Sequence, residues 1–185
     1  MRNNKIHDQV KNGLWFEVES EKGIDPFKWS YASGDTTKFL NALLNEQNGT
    51  AAIDWDTDTI KLALFGVTTT VTTIDTSQSF YGSFTAHEVT GTGYTAGGFA
   101  IAARSVSVSG SYVILMGNPI TFTSNAAGFT GARWGLIYKE GGTPATSPLK
   151  ARLDLGTTRS NQGGDLVVNW AGTGTNKILK GKWSA

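Results

Sequence analysis

The run Leu149-Lys150-Ala151-Arg152-Leu153-Asp154-Leu155 alternates apolar and charged residues without a break. Only an extended backbone sorts such a pattern. Residues two apart share one face of a strand, so Leu149, Ala151, Leu153 and Leu155 are expected to face inward, with Lys150, Arg152 and Asp154 facing water. The same period recurs along the chain: Ile60, Leu62 and Leu64 before a break at Gly66, then Ile120 and Phe122, then Ala132, Trp134, Leu136 and Tyr138, then Leu166, Val168 and Trp170. "SYVILMG" at 111–117 reads as a short buried run, and "NKILKGKW" at 176–183 as a strand that closes a sheet. Turns rich in Gly, Pro, Asn and Ser separate these runs. The expected class is mainly β, an antiparallel β-sandwich or jelly-roll-like body.

Two segments depart from that period. "DTTKFLNALLNEQNG" at 35–49 predicts one short helix at about 36–47, capped by Asp35 or Thr36, striped by Phe39, Leu40, Leu43 and Leu44, and stopped at Gly49. It would open a β-sandwich domain spanning 35–185. Residues 1–34 are polar and irregular, and they carry isolated aromatics at Trp15, Phe16, Phe27, Trp29 and Tyr31. They read as an extended N-terminal arm whose aromatics anchor it, either on the chain's own body or on a neighbouring subunit.

The chain of 185 residues fits one domain with an appendage. Its 39% hydrophobic content, with six Trp and nine Phe, is enough for a packed β core. A net charge of +1 with scattered Lys and Arg lacks the clustered basic face that a phosphate backbone demands, so no nucleic acid is expected as a partner. No apolar run reaches membrane-spanning length, and "MRNNKIHDQVKNG" at the N-terminus has no apolar signal core, so no membrane association is expected. The absence of cysteine excludes disulfides and thiolate metal sites, consistent with synthesis in a cytosol.

Catalytic constellations are scarce. His7 and His87 are the whole imidazole supply, too few for a three-histidine zinc site. His87-Glu88 reads as a surface pair. "DWDTDT" at 54–59 imitates the start of an EF-hand loop, but Thr59 stands where glycine is required and Phe65 where a bidentate Glu is required. It reads as a solvated turn, with a looser calcium site on Asp54, Asp56 and Asp58 as the lesser alternative. No cofactor and no enzymatic activity are expected.

"HEVTGTGYTAGG" at 87–98 satisfies the G-x-G-x-x-G/A spacing of a dinucleotide-binding turn through Gly91, Gly93 and Ala96. The context fails: the preceding residues are too polar for a central parallel strand, and Phe99, Ile101 and Ala103 alternate as a strand would, not as a helix. The parity then switches to Val106 and Val108, which predicts a bulge near Arg104 and Ser105. The glycines are expected to serve a turn, with Tyr94 as its aromatic plug or its contact to a neighbour.

Four stretches resemble a family of small virion structural proteins of tailed bacteriophages: "DTDTIKLALF" at 56–65, the loop at 87–98, "ARWGLIYKEGGTPATSPLKARLDLG" at 132–156 and "GGDLVVNW" at 163–170. The likeness runs in order over residues 36–172. Family members begin near the helix, so residues 1–34 are an extension here. "YVILMGNPITFTSNAAGFT" at 112–130 replaces a segment usually richer in aspartate. The resemblance implies a non-enzymatic virion component, made in the host cytoplasm. The expected role is a capsid decoration or cement protein that binds the major capsid protein and copies of itself, as a homotrimer. Placement at the neck or tail is the alternative. A different class, a carbohydrate-binding module that stacks host glycans on Trp55, Trp134, Trp170 or Trp183, also stays open.

Overall fold

The computed structural model describes residues 36–38, 52–66, 78–110, 112–170 and 176–182. The expected arm, with Trp15, Phe16, Phe27, Trp29 and Tyr31, lies outside the described residues. So does Trp183.

The described chain is mainly β, and every strand pairing is antiparallel. In chain order the strands are β1 (Thr36–Lys38), β2 (Ile60–Gly66), β3 (Phe99–Ala100), β4 (Ser105–Ser109), β5 (Tyr112–Met116), β6 (Ile120–Phe122), β7 (Ala132–Lys139), β8 (Leu149–Arg159), β9 (Leu166–Val168) and β10 (Lys177–Lys182). A five-stranded sheet runs β1-β8-β7-β2-β3, a three-stranded sheet β10-β5-β4, and a two-stranded ribbon β6-β9.

The five-stranded sheet is covered on both faces. Successive residues of a strand point oppositely, so β2 sends Ile60, Leu62 and Leu64 into the larger core and Ala63 and Phe65 into a smaller one. The larger core takes Ile120, Phe122, Leu166, Val168 and Trp170 from the ribbon side and Ile178 and Leu179 from β10. The smaller one is closed by Tyr81 and Phe84, which the 3₁₀ turns Tyr81–Ser83 and Thr85–His87 carry over Leu136, Tyr138 and Leu149.

Three expectations need correction. Thr36–Lys38 is strand, paired with Leu153, Arg152 and Ala151 of β8, so no helix starts there. The edge of β8 takes up their backbone groups, and tertiary pairing outweighs a local cap signal. Residues 39–47, with the leucine stripe, lie outside the described residues.

The parity switch near Arg104 is a change of sheet, not a bulge. The chain leaves β3, passes Ala103 at φ 48°, and enters β4 in another sheet. Arg104 fastens the crossing by donating to the carbonyls of Trp55 (2.9 Å), Ile101 (2.5 Å) and Asp58 (2.5 Å).

The alternation of β8 does not mean a single inward face. The β7–β8 register slips between Ile137/Ala151 and Tyr138/Leu149, so Leu149 joins the smaller core while Ala151, Leu153 and Leu155 join the larger. A second slip between Ala132 and Trp134 likewise parts Ala132 from Leu136 and Tyr138.

Candidate functional site

The loop 87–98 folds onto β2, and at its root stands Glu88. Glu88 bridges to Phe65 across the end of β2, and the Val89 N–H donates to the Leu64 carbonyl at 3.0 Å. This docking turns the Glu88 carboxylate toward the protein. Three donors converge on it: the Tyr81 hydroxyl at 2.5 Å, the Tyr94 hydroxyl at 2.5 Å and the Gly97 backbone N–H at 2.6 Å. The Tyr94 hydroxyl also accepts the Leu64 N–H at 2.9 Å, and the Tyr138 hydroxyl donates to the Gly97 carbonyl at 2.7 Å. Tyr81 and Tyr138 stack at 4.2 Å between centroids.

Glu88 is therefore not a surface partner of His87. It is the acceptor around which a loop and three tyrosines are organised. Burial, followed by the hydrogen bond to Glu88, holds the Tyr81 and Tyr94 phenols above their ordinary pKa. Burial and then the Glu88 charge do the same for Tyr138. All three stay neutral donors well beyond physiological pH.

This arrangement bears directly on the glycine spacing. A phosphate cradle needs free N–H groups and a following helix dipole. Here the Gly97 N–H is taken by a carboxylate and the strand β3 follows. A second anion would meet the Glu88 charge. The glycines meet packing demands: a Cβ on Gly98, at φ +69°, would fall 1.9 Å from the Leu62 carbonyl oxygen, and one on Gly91 would fall 2.4 Å from the Phe129 nitrogen. The Tyr94 ring lies 5.9 Å from Phe122 and 5.7 Å from Phe129, so ring and hydroxyl alike are engaged within the chain.

The acidic turn is engaged in the same way. The Asp54 carboxylate accepts the N–H groups of Asp56 and Thr57, and Asp58 accepts the Asp54 N–H at 2.7 Å and pairs with Lys139 at 2.9 Å. Hydrogen bonds from Thr57 hold the Asp54 carboxyl below its usual range. Among the described residues no group of three or more His, Cys, Asp or Glu is placed to hold a metal.

Of the four tryptophans nominated for glycan stacking, the three among the described residues are also committed. Trp55 is buried and donates to the Met116 carbonyl at 2.8 Å, and Trp170 is buried and donates to the Asn118 carbonyl at 2.7 Å. The guanidinium groups of Arg133 and Arg152 lie over the ring of half-buried Trp134, at 4.9 and 4.8 Å from its centroid. Arg133 in turn pairs with Asp154.

The residues missed by sequence reasoning are Glu88 as hub, Tyr81, Tyr138 and Arg104. A usable signal existed: one glutamate flanked by tyrosines seven residues before it and six after, in a glycine-rich loop that must bury itself somewhere. Compared with known proteins, the chain matches no family, no curated protein and no solved structure.

Proposed function

We propose that this chain is a non-enzymatic structural component of a tailed-bacteriophage virion, a decoration protein that stabilises the major capsid lattice. One observation carries the reading. The groups best suited to chemistry, Glu88, the three tyrosines and the Asp54–Asp58 turn, donate to and accept from one another and the backbone. A chain whose reactive groups, among the described residues, are spent on rigidity is suited to act through its surfaces. The resemblance of four stretches, in order, to small virion proteins supplies the setting.

In this reading the body is a β-sandwich, with the ribbon and the three-stranded sheet forming the layer opposite the five-stranded sheet. It assembles as a homotrimer on the capsid, and the arm 1–34, through Trp15, Phe16, Phe27, Trp29 and Tyr31, reaches the major capsid protein. Two or three buried aromatics acting as hot spots would each contribute about 1–3 kcal/mol, and repetition over a lattice multiplies the effect.

Quantitative mass spectrometry of purified virions tests this. Lattice-wide decoration gives roughly one copy per one to three major capsid proteins. A few copies per particle would move the protein to the neck or tail, and absence from virions would overturn the reading. Deleting residues 1–34 should leave a folded body that no longer binds empty capsids.

A further inference from the structure

Among the described residues, the three-stranded sheet ends at β4 with no strand beyond it. Strand β4, Ser105-Val106-Ser107-Val108-Ser109, pairs on one side with β5 in an unbroken register from Ser105↔Met116 to Ser109↔Tyr112. Among the described residues no strand pairs with its other side. Val106 is 42% exposed and Val108 74%, the exposed large hydrophobics of the described residues, and both lie on this one strand. They continue an apolar face: Val106 stands opposite Leu115, which packs against the larger core, and Val108 stands opposite Val113. Among the described residues, that face ends at β4.

Natural edges are commonly protected by lysine, proline, a bulge or a covering segment. β4 contains no lysine, proline or bulge. The strand is instead a palindrome about Ser107. We propose that β4 is a homotypic docking edge, pairing antiparallel with β4 of a second copy about a twofold axis through Ser107.

Backbone geometry, side-chain faces and charge fit this occupant. Ser109 and Tyr112 are register partners across only two intervening residues, the spacing at which the residues flanking a hairpin form a hydrogen-bonded pair. Alternation then turns the backbone groups of Ser105, Ser107 and Ser109 toward β5 and those of Val106 and Val108 outward. With Ser107 on the axis, each outward Val106 meets an outward Val108 of the other copy, and both exchange N–H and C=O bonds. Valine then faces valine on one side of the joined sheet and serine faces serine on the other, a favourable cross-strand set. On a twofold interface a charge at the axis meets its own copy and one beside it is brought near that copy, so an uncharged edge pairs with itself without that repulsion. Neither Ser105–Ser109 nor Tyr112–Met116 contains a charged residue.

Five residues a side bury less than the roughly 1,200 Å² of a stable complex, so the contact is weak and concentration-dependent when it acts alone. Arrayed copies would gain from it through effective concentration. The inference stands apart from the virion reading, since it concerns the purified chain alone.

The chain has no cysteine, which makes the register directly readable. On the axis Ser107 faces itself in a non-hydrogen-bonded pair, where Cα atoms lie about 4.5 Å apart, within the range a disulfide spans. The full-length Ser107→Cys variant under mild oxidation should give a covalent dimer at least tenfold faster than Ser105→Cys or Ser109→Cys alone. An equimolar mixture of the last two should restore cross-linking. In sedimentation velocity over a concentration series, Val108→Lys, at a site that is mostly solvent, should weaken self-association at least tenfold. Equal cross-linking of the three single variants would overturn the proposal. So would a wild-type chain whose association Val108→Lys leaves unchanged.

Discussion

Replacing Glu88 is the sharpest test of the interior. Its carboxylate accepts from the Tyr81 and Tyr94 hydroxyls and the Gly97 N–H at 2.5, 2.5 and 2.6 Å. A hydrogen bond to a charged acceptor contributes about 1.5–3 kcal/mol, so the three sum to roughly 5–9 kcal/mol if all are lost without replacement. Truncation to alanine opens space at a half-buried position, and water entering there satisfies part of the set. The expected cost of Glu88→Ala is therefore about 3–5 kcal/mol. Glu88→Gln keeps the size and one acceptor oxygen, while its amide N–H₂ obliges one phenol to turn and accept. Its expected cost is about 1–2 kcal/mol. Urea unfolding followed by tryptophan fluorescence gives both values, with an unchanged slope confirming that the same surface unfolds. A cost below about 1 kcal/mol for the alanine variant, or a glutamine variant as damaged as the alanine one, would refute the hub.

The tyrosines predict an alkaline limit. Their folded pKa values lie above the ordinary value near 10, so the stability they carry is complete below that pH and is lost as pH rises above it. Each phenol held neutral in the fold while its unfolded counterpart ionises costs about 1.4 kcal/mol per pH unit, or about 4 kcal/mol per unit for the three. The phenolate absorbance near 295 nm that belongs to three of the five tyrosines should rise together with unfolding, and ionisation of all five in a still-folded protein would contradict this. Gly98→Ala combines a left-handed φ with a clash against the Leu62 carbonyl, so it should cost more than about 3 kcal/mol or prevent folding, as read from soluble yield and the thermal midpoint. Arg104→Lys should cost about 2 kcal/mol in urea unfolding, because a single ammonium nitrogen cannot occupy the three separate positions from which Nε, Nη1 and Nη2 reach the carbonyls. A loss within 0.5 kcal/mol would mean the crossing holds without it.

The strand faces were legible because burial imposes a period on each strand by itself. Ile60, Leu62 and Leu64, Ile120 and Phe122, and Leu166, Val168 and Trp170 all reach the larger core as the alternation implies. What was not legible depends on partners. The slip beside Leu149 is a property of the β7–β8 pair, and no pattern within β8 encodes it. Thr36–Lys38 looked like a helix cap because its strand partner lies more than a hundred residues away. Glu88 looked like half of a surface pair because the sequence shows His87 beside it and hides Tyr81 and Tyr94 across the folded loop.

Interior and edge make different demands on the same chain, and that difference separates stability from action. Glu88, Gly98 and Arg104 have their polar and steric needs met inside, so substitutions there should lower stability in the free protein as much as in any assembly. Val108 has nothing to lose inside, since it is 74% exposed. A lysine there should leave the urea midpoint in place, and if anything raise solubility, while weakening contact between copies. An enzyme would show the opposite pattern at Glu88, where the conservative glutamine would abolish turnover while barely moving stability. Measuring stability and self-association for Glu88→Gln and Val108→Lys side by side therefore asks where the chain's specificity resides. In a protein that acts through its surfaces, only the second variant changes what the folded chain can bind.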